Sequence, residues 1–159
     1  MNIKKVATVV STVLFVALVL SVVASAAGPQ SGTWKLNAEK SKYSPGPVPK
    51  SLTLTIVEDE KGVNVHSEGM DGEGKALLTA FDAKYDGKEY PVTGSPYGDM
   101  VSAVRVDANT VKITLSKGGK ATMWVTSEVS KDGKTRTSTF TGKDAAGHDV
   151  KNVAVYDKQ

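Results

Sequence analysis

Apolar and polar residues alternate along much of the chain with a period of two. Leu52, Leu54 and Ile56 alternate with threonines, and the same period returns in residues 62–67 and 110–116. In a strand, successive side chains point to opposite faces, so this pattern predicts strands with one buried and one solvated face. With further segments of strand composition we predict about ten strands, near residues 33–37, 51–58, 62–67, 75–84, 88–93, 99–106, 110–116, 120–130, 134–142 and 148–157.

Glycine-containing turn motifs separate these segments at short intervals. Asp86-Gly87, Gly118-Gly119 and Asp132-Gly133 are examples, and such pairs supply the positive φ that tight hairpins need. Many short antiparallel strands must protect their edges, which closure into a barrel does. We therefore predict an all-β, antiparallel up-and-down barrel or clam of about 8–10 strands.

The one long connection, residues 38–50, carries Pro45, Pro47 and Pro49 at alternate positions. Prolines at this spacing preclude a helix and favour an extended, stiff segment. We interpret residues 38–50, hereafter the strap, as crossing one end of the barrel; a solvated loop is an equally good interpretation of the sequence.

The N-terminus has the order of a secretory signal. Lys4 and Lys5 precede an apolar stretch over residues 6–23, and Ala24-Ser25-Ala26 follows. This order predicts a Sec-type signal peptide over residues 1–26, whose apolar stretch forms a helix ahead of the barrel, with cleavage after Ala26. A permanent membrane anchor is the alternative, since the apolar stretch is near the minimum length for a span.

Cleavage there leaves a flexible lead, residues 27–31, and one barrel domain, residues 32–159. The whole chain has 20 basic and 17 acidic residues, and two of the basic ones lie in the signal. The remaining segment is nearly neutral, whereas a nucleic-acid-binding domain normally gathers a basic surplus. We expect no nucleic-acid partner, and contact with a membrane only through the signal before cleavage.

The chain contains no cysteine. This excludes a disulfide framework, a thiol nucleophile and thiolate metal sites. Together with the signal, it is typical of a bacterial periplasmic or secreted protein.

The two ends of the domain resemble a known group of barrels. Gly32-Thr33-Trp34 opens it and Val153-Ala154-Val155-Tyr156 closes it, and with the strand pattern these motifs resemble the fatty-acid-binding proteins and lipocalins of the calycin group. The chain is also similar to small exported bacterial proteins of unassigned function. The calycin resemblance implies that Trp34 plugs one end of the barrel, covered by Arg105 or Arg136.

The chain departs from fatty-acid-binding proteins at two points. In that family a helical pair stands where this chain has the strap, and an arginine two residues before the tyrosine of the last strand holds the ligand carboxylate. The matching pair here is Ala154 and Tyr156, so the anion-binding half is missing. A buried carboxylate without a cation is costly, and we expect a neutral apolar ligand, or none.

The sequence offers little catalytic chemistry. His66 and His148 are the only histidines, and both fall in polar phases of strands or beside turns. Ser95 does not lie in a Gly-x-Ser-x-Gly elbow. The acidic residues around hairpin tips, which include Asp71 and Asp86, lack the EF-hand spacing. We therefore predict no enzyme activity, no metal site and no cofactor.

Two functions remain. The first is a monomeric binding module for a small, mostly apolar ligand; the second is a structural or protein-interaction domain of the cell envelope with a packed core and an envelope protein as partner. The hydroxyl-rich strand near residues 134–142 favours a partly polar interior if one of its faces points inward. Candidate ligand-binding residues are Trp34, Phe81, Tyr90, Met100, Met123, Trp124, Phe140 and Tyr156.

Overall fold

The computed structural model describes residues 27–159. The predicted signal peptide and the cleavage site after Ala26 therefore involve residues outside the described part. Ten strands follow one another: β1 (Gly32–Leu36), β2 (Ser51–Glu58), β3 (Gly62–Met70), β4 (Ala76–Lys84), β5 (Tyr90–Thr93), β6 (Met100–Arg105), β7 (Thr110–Lys117), β8 (Lys120–Val129), β9 (Thr135–Lys143) and β10 (Asp149–Lys158).

These strands form one closed antiparallel barrel. Each strand pairs with its neighbours in the sequence, and β1 closes the ring by pairing with β10, where Trp34 lies opposite Lys158. The predicted all-β up-and-down barrel is confirmed. Residues 27–159 contain no helix long and apolar enough to cross a membrane.

The buried residues of the strands follow the two-residue period that the sequence predicted. Val111, Ile113 and Leu115 of β7 are buried, while Lys112 between them is exposed. The hairpin glycines take the conformation that tight turns demand, since Gly87 and Gly133 have φ of 71° and 70°, which other residues adopt only at a cost. The inward side chains form one core inside the barrel.

The segment of residues 27–31, which we expected to form a flexible lead, makes specific contacts at one end of the barrel through Gln30. The Gln30 amide donates to Oε2 of Glu58 at 3.0 Å, and Nε1 of Trp34 donates to the Gln30 carbonyl at 2.8 Å. Gln30 is 2% exposed. We call this end, with its Trp34 plug, the closed end.

The strap crosses the opposite end. It runs beside the start of β10, where Lys42 and Val153 exchange two backbone hydrogen bonds of 2.8 and 2.7 Å. Farther along, the Ser44 amide donates to Oδ1 of Asn152 at 3.0 Å. At Gly72 in the β3–β4 turn, a Cβ atom would lie 2.2 Å from Cγ of Pro47. The strap therefore contacts that turn and β10 at the end of the barrel, while most of its residues remain exposed to solvent.

Candidate ligand-binding site

The barrel contains a cavity of about 400 Å³. Its walls are mainly apolar side chains from β2, β3, β4, β5, β7, β8 and β9. It reaches the surface at the strap end, between Tyr43 and the prolines of the strap, the β3–β4 turn (Asp71–Glu73) and the β5–β6 turn (Ser95–Tyr97). We call this opening the mouth. The wall residues are Leu52, Leu54, Val65, Leu77, Phe81, Val92, Ile113, Leu115, Val125 and Phe140.

Polar groups converge toward the closed end of this cavity. Ser127 and Ser138 of the paired strands β8 and β9 lie 3.0 Å apart at their hydroxyls. Nη1 of Arg136 donates to Oγ of Ser138 at 2.8 Å, and Nε donates to Oε1 of Gln30 at 3.0 Å. Ser127, Arg136 and Ser138 all line the cavity. Arg136 and Ser138 do so together because residues two apart on β9 share a face.

Tyr156 faces Arg136 across the β9–β10 pair. The two residues are directly opposed in the register, and Cζ of Arg136 lies 5.8 Å from the centre of the Tyr156 ring. Burial raises the pKa of Tyr156 to about 12, although the charge of Arg136 acts in the opposite direction. At neutral pH the phenol is therefore protonated and can donate a hydrogen bond.

Tyr43 brings the strap into the same interior. It is packed against the core and lines the cavity. Burial, and then the neighbouring Tyr156 and Tyr97, raise the pKa of Tyr43. The strap thus contributes an amphipathic side chain to the site as well as a cover.

A second polar cluster lies at the closed end around Glu58. Oε1 of Glu58 accepts from Nη2 of Arg105 at 2.8 Å and from the hydroxyl of Tyr85 at 2.6 Å. The guanidinium of Arg105 also lies 4.6 Å from the centre of the Tyr85 ring. Burial, followed by the hydrogen bond to Glu58, raises the pKa of Tyr85. This carboxylate is fully engaged with partners at the end of the barrel.

The structure brings three of the sequence-predicted ligand-binding residues to the cavity: Phe81, Phe140 and Tyr156. Trp34 and Met123 are fully buried but do not line the cavity. Trp34 closes the end of the barrel, as the resemblance implied, but its cation is Lys158, whose Nζ lies 5.0 Å from the ring centre. The expectation that Arg105 or Arg136 covers it was wrong, because each stacks on a tyrosine.

The remaining candidates lie away from the cavity. Tyr90 donates from its hydroxyl to Asp86 at 3.0 Å in an exposed position, and Met100 is half-buried on β6. Trp124 is 51% exposed on the outer face of the barrel. Because Met123 points inward, its strand neighbour Trp124 must point outward, so naming both as lining residues contradicted the period of two.

Sequence reasoning missed several polar lining residues. Arg136, Ser127 and Asn152 face the cavity but belong to no local motif. The signal that came nearest was the hydroxyl-rich strand, because one of its two faces points inward and carries Arg136 and Ser138. The sequence did not indicate which of the two faces of this strand points inward, because that depends on how the barrel closes.

The titratable groups that the sequence singled out remain at the surface. His148 pairs with Asp144 at 3.0 Å in an exposed turn, and His66 lies 3.9 Å from Glu68 on the outside of β3. The carboxylate of Asp71 accepts from amides of its own turn. Within residues 27–159, no group of three or more histidine or acidic side chains is placed to hold a metal ion.

The closed ten-strand barrel is the calycin fold, as the end motifs suggested. The chain is similar to the crystal structure of the zebrafish ileal bile-acid-binding protein complexed with cholic acid, with a TM-score of 0.50 and 15% sequence identity over 82% of this chain and 99% of that one. No protein-family model matches the sequence, and neither does any curated protein. At this identity the similarity establishes the fold.

Proposed function

We propose that this protein is an exported binding module that takes a small, mostly apolar ligand into its barrel. The observation that supports this most directly is the cavity itself, with a volume of about 400 Å³. Ligand sites in proteins are typically concave, mostly apolar and about 300–1,000 Å³ in volume. The zebrafish bile-acid-binding protein, whose fold is similar, was crystallised with cholic acid, which agrees with this use of the barrel.

The alternative, an interaction domain with a packed core, predicts a filled barrel. Protein interiors are normally packed so closely that voids much larger than a water molecule are few. A cavity of this size, continuous with a mouth at the strap, favours ligand binding over that alternative.

We place the protein among binding modules rather than enzymes. The cavity's polar side chains are phenols, hydroxyls, one amide, one guanidinium and, at the mouth, the carboxylates of Asp71 and Glu73, and its described lining includes no histidine. These groups hold and orient a ligand, whereas hydrolysis or transfer needs a nucleophile with a base within hydrogen-bond reach. Export to the periplasm or beyond remains our proposal from the N-terminal sequence.

Binding of a neutral apolar fluorophore tests the proposal. We expect N-phenyl-1-naphthylamine to gain fluorescence saturably when it is titrated with protein purified from cells that express the full chain. Ser67 lines the cavity on β3, so Ser67→Phe fills part of the space and should weaken binding at least about tenfold.

The matched control is His66→Phe, which places the same side chain on the outer face of the same strand. It should leave binding unchanged. Absence of saturable binding to the unaltered protein, or equal effects of the two substitutions, would contradict ligand binding in the cavity.

A further inference from the structure

Trp124 lies in the middle of a sheet face that carries threonines and points away from the cavity. The indole is 51% exposed, and the residues directly opposite it in the neighbouring strands are Thr114 of β7 and Thr141 of β9. Two positions along β8, Thr126 shares its face and lies opposite Thr139 of β9. The ring is therefore framed by four threonines.

These four threonines have hydroxyls available to a ligand. Within residues 27–159, none of the four hydroxyls forms a hydrogen bond, and a threonine hydroxyl can both donate and accept. An exposed apolar ring bordered by free hydroxyls is complementary to a sugar. The C–H face of a pyranose ring packs on an aromatic ring, and its hydroxyl groups exchange hydrogen bonds with the polar side chains around that ring.

The exposed charges of β7, β8 and β9 are predominantly positive. Lys112, Lys117 and Lys120 are exposed, and within the described residues none of them forms an ion pair. The fourth lysine, Lys143, is paired with a carboxylate of β10. The three strands carry one carboxylate, that of Glu128. An anionic ligand therefore complements this face.

The tip of the β7–β8 hairpin concentrates this charge. Lys117 and Lys120 lie directly opposite each other across a two-glycine turn, and like charges in directly opposed positions destabilise a strand pair. The neighbouring carboxylate of Glu89 accepts a hydrogen bond from Ser116 and, within residues 27–159, forms no ion pair with either lysine. A bound anion would relieve this repulsion.

The lysines flank Trp124 at distances that an extended oligosaccharide covers. Lys120 begins β8 four residues before Trp124, about 13 Å along the strand at about 3.3 Å per residue. In the other direction Lys112 lies opposite Thr126, about 7 Å along the strand from Trp124. Long lysine side chains at exposed positions can reach groups bound beside the ring. The face thus presents one stacking ring between two sources of positive charge.

We infer that the outer face of the β7–β8 hairpin is a second binding site, independent of the cavity, for a polysaccharide that carries carboxylate groups. One pyranose ring stacks on Trp124 and exchanges hydrogen bonds with the threonines beside it. Carboxylates of adjoining sugar units pair with Lys112 on one side and with Lys117 and Lys120 on the other. Export, which we propose above, would bring this face to polysaccharides outside the cytoplasm.

A single-stranded nucleic acid is another anionic polymer that combines rings with charge. Proteins that bind it stack successive bases on several aromatic side chains, whereas β7, β8 and β9 present one aromatic ring to solvent, that of Trp124. Phe140 of β9 lines the cavity instead. A lone ring surrounded by hydroxyls favours a sugar over a run of bases.

Tetragalacturonate and its methyl ester test the inference because they share one backbone and differ in charge. Isothermal titration calorimetry with the purified protein should show tetragalacturonate binding at least about tenfold more tightly, the combined contribution of a few exposed ion pairs. Higher ionic strength should weaken that binding because salt screens exposed charges. Equal affinities, no binding of either sugar, or tighter binding of an octathymidylate oligonucleotide would each overturn the inference.

Substitution of the tryptophan locates the site. Trp124→Ala removes the stacking ring and should weaken tetragalacturonate binding at least about tenfold, and Trp124→Tyr should restore most of the affinity. The control is Val57→Ala on β2, where the valine is 65% exposed; it removes an exposed apolar side chain elsewhere on the barrel and should leave the affinity unchanged. Equal losses in Trp124→Ala and Val57→Ala would contradict the assignment.

Replacement of the hairpin lysines tests the role of charge. Lys117→Gln combined with Lys120→Gln should reduce the affinity for tetragalacturonate toward that for the methyl ester and leave the ester's affinity unchanged. The control combines Lys84→Gln with Lys88→Gln, which removes two exposed lysines near the β4–β5 turn and should keep the preference for the acid. An undiminished preference in the hairpin variant would refute the pairing with these lysines.

NMR of the unaltered protein makes the test independent of the folding of any variant. Tetragalacturonate should shift the indole N–H signal of Trp124 and leave that of Trp34, which is buried at the closed end, in place. An unmoved Trp124 signal would refute the stacking. N-phenyl-1-naphthylamine bound in the cavity should stay bound during the titration, and its displacement by the sugar would overturn the assignment to a separate site.

Discussion

Nε of Arg136 donates a 3.0 Å hydrogen bond to Oε1 of Gln30, although 106 residues separate the two along the chain. Through this bond and a second one, from Nε2 of Gln30 to the Asn109 carbonyl at 2.7 Å, the N-terminal segment is joined to β9 and to the β6–β7 turn. The same guanidinium lines the cavity. The closed end thus connects the stability of the barrel to the geometry of the candidate site.

Gln30→Ala should destabilise the protein. The substitution removes the acceptor for Nε of Arg136 and leaves a buried donor of a charged group without its partner, which typically costs about 1–3 kcal/mol. The free energy of unfolding in urea measures this. Gln159→Ala, at an exposed position, should change it by less than about 0.5 kcal/mol, and equal effects of the two would show that Gln30 does not support the closed end.

Gly72→Ala should disturb the mouth. Its Cβ would lie 2.2 Å from Cγ and 2.7 Å from Cβ of Pro47, so the strap must move away from the β3–β4 turn. We expect faster dissociation of N-phenyl-1-naphthylamine in stopped-flow measurements. Adding Pro47→Gly removes both clashing ring atoms and should restore the slower dissociation rate. If the double variant releases the dye as fast as Gly72→Ala, the contact between residue 72 and Pro47 is not the cause of the faster dissociation.

The two tryptophans should differ widely in their contribution to stability. Trp34 is 0% exposed and donates a hydrogen bond from Nε1 to the Gln30 carbonyl, so Trp34→Ala should cost about 3–5 kcal/mol. Trp124 is half exposed, and Trp124→Ala should cost less than about 1 kcal/mol, the range of cross-strand contacts. Urea unfolding distinguishes them, and the Trp124 variant should still bind the fluorophore.

Stability should fall at alkaline pH. The pKa of Tyr156 is raised to about 12 in the folded protein, whereas a tyrosine in an unfolded chain ionises near 10. Above pH 10 the unfolded state releases this proton first, so the stabilisation is complete below pH 10 and is lost as the pH rises toward 12. The expected slope is about 1.4 kcal/mol per pH unit for this residue.

Tyr156→Phe provides the control for that pH dependence. It removes the titrating hydroxyl, so the decrease in unfolding free energy between pH 10 and 12 should become less steep by the same amount. Absorbance at 295 nm follows phenolate formation. In the variant, the increase in this absorbance on alkaline unfolding should correspond to one phenolate fewer than in the unaltered protein. An unchanged slope would show that Tyr156 ionises equally well in both states.

Much of the architecture was determined by the sequence alone. The two-residue period around residues such as Leu54 and Ile113 and the glycine turns such as Asp86-Gly87 predicted a barrel of about 8–10 antiparallel strands, with segments close to the observed bounds. These are local properties, because side-chain alternation and the φ of a turn residue depend on immediate neighbours. Because the edges of such a sheet must be protected from pairing with other chains, closure into a barrel was then the expected architecture.

The candidate site was decided by tertiary structure. Phe140 and Tyr156 could be identified as lining residues from hydrophobicity and strand phase, but Trp124 has the same character and lies outside. Arg136 joins the cavity lining because β9 and β10 pair in a register that sets it opposite Tyr156. The carboxylate of Glu58 is paired with Arg105 instead. Side-chain alternation follows from local sequence, whereas barrel closure determines which side chains meet in the interior, and it is closure that places the Arg136 guanidinium against the cavity.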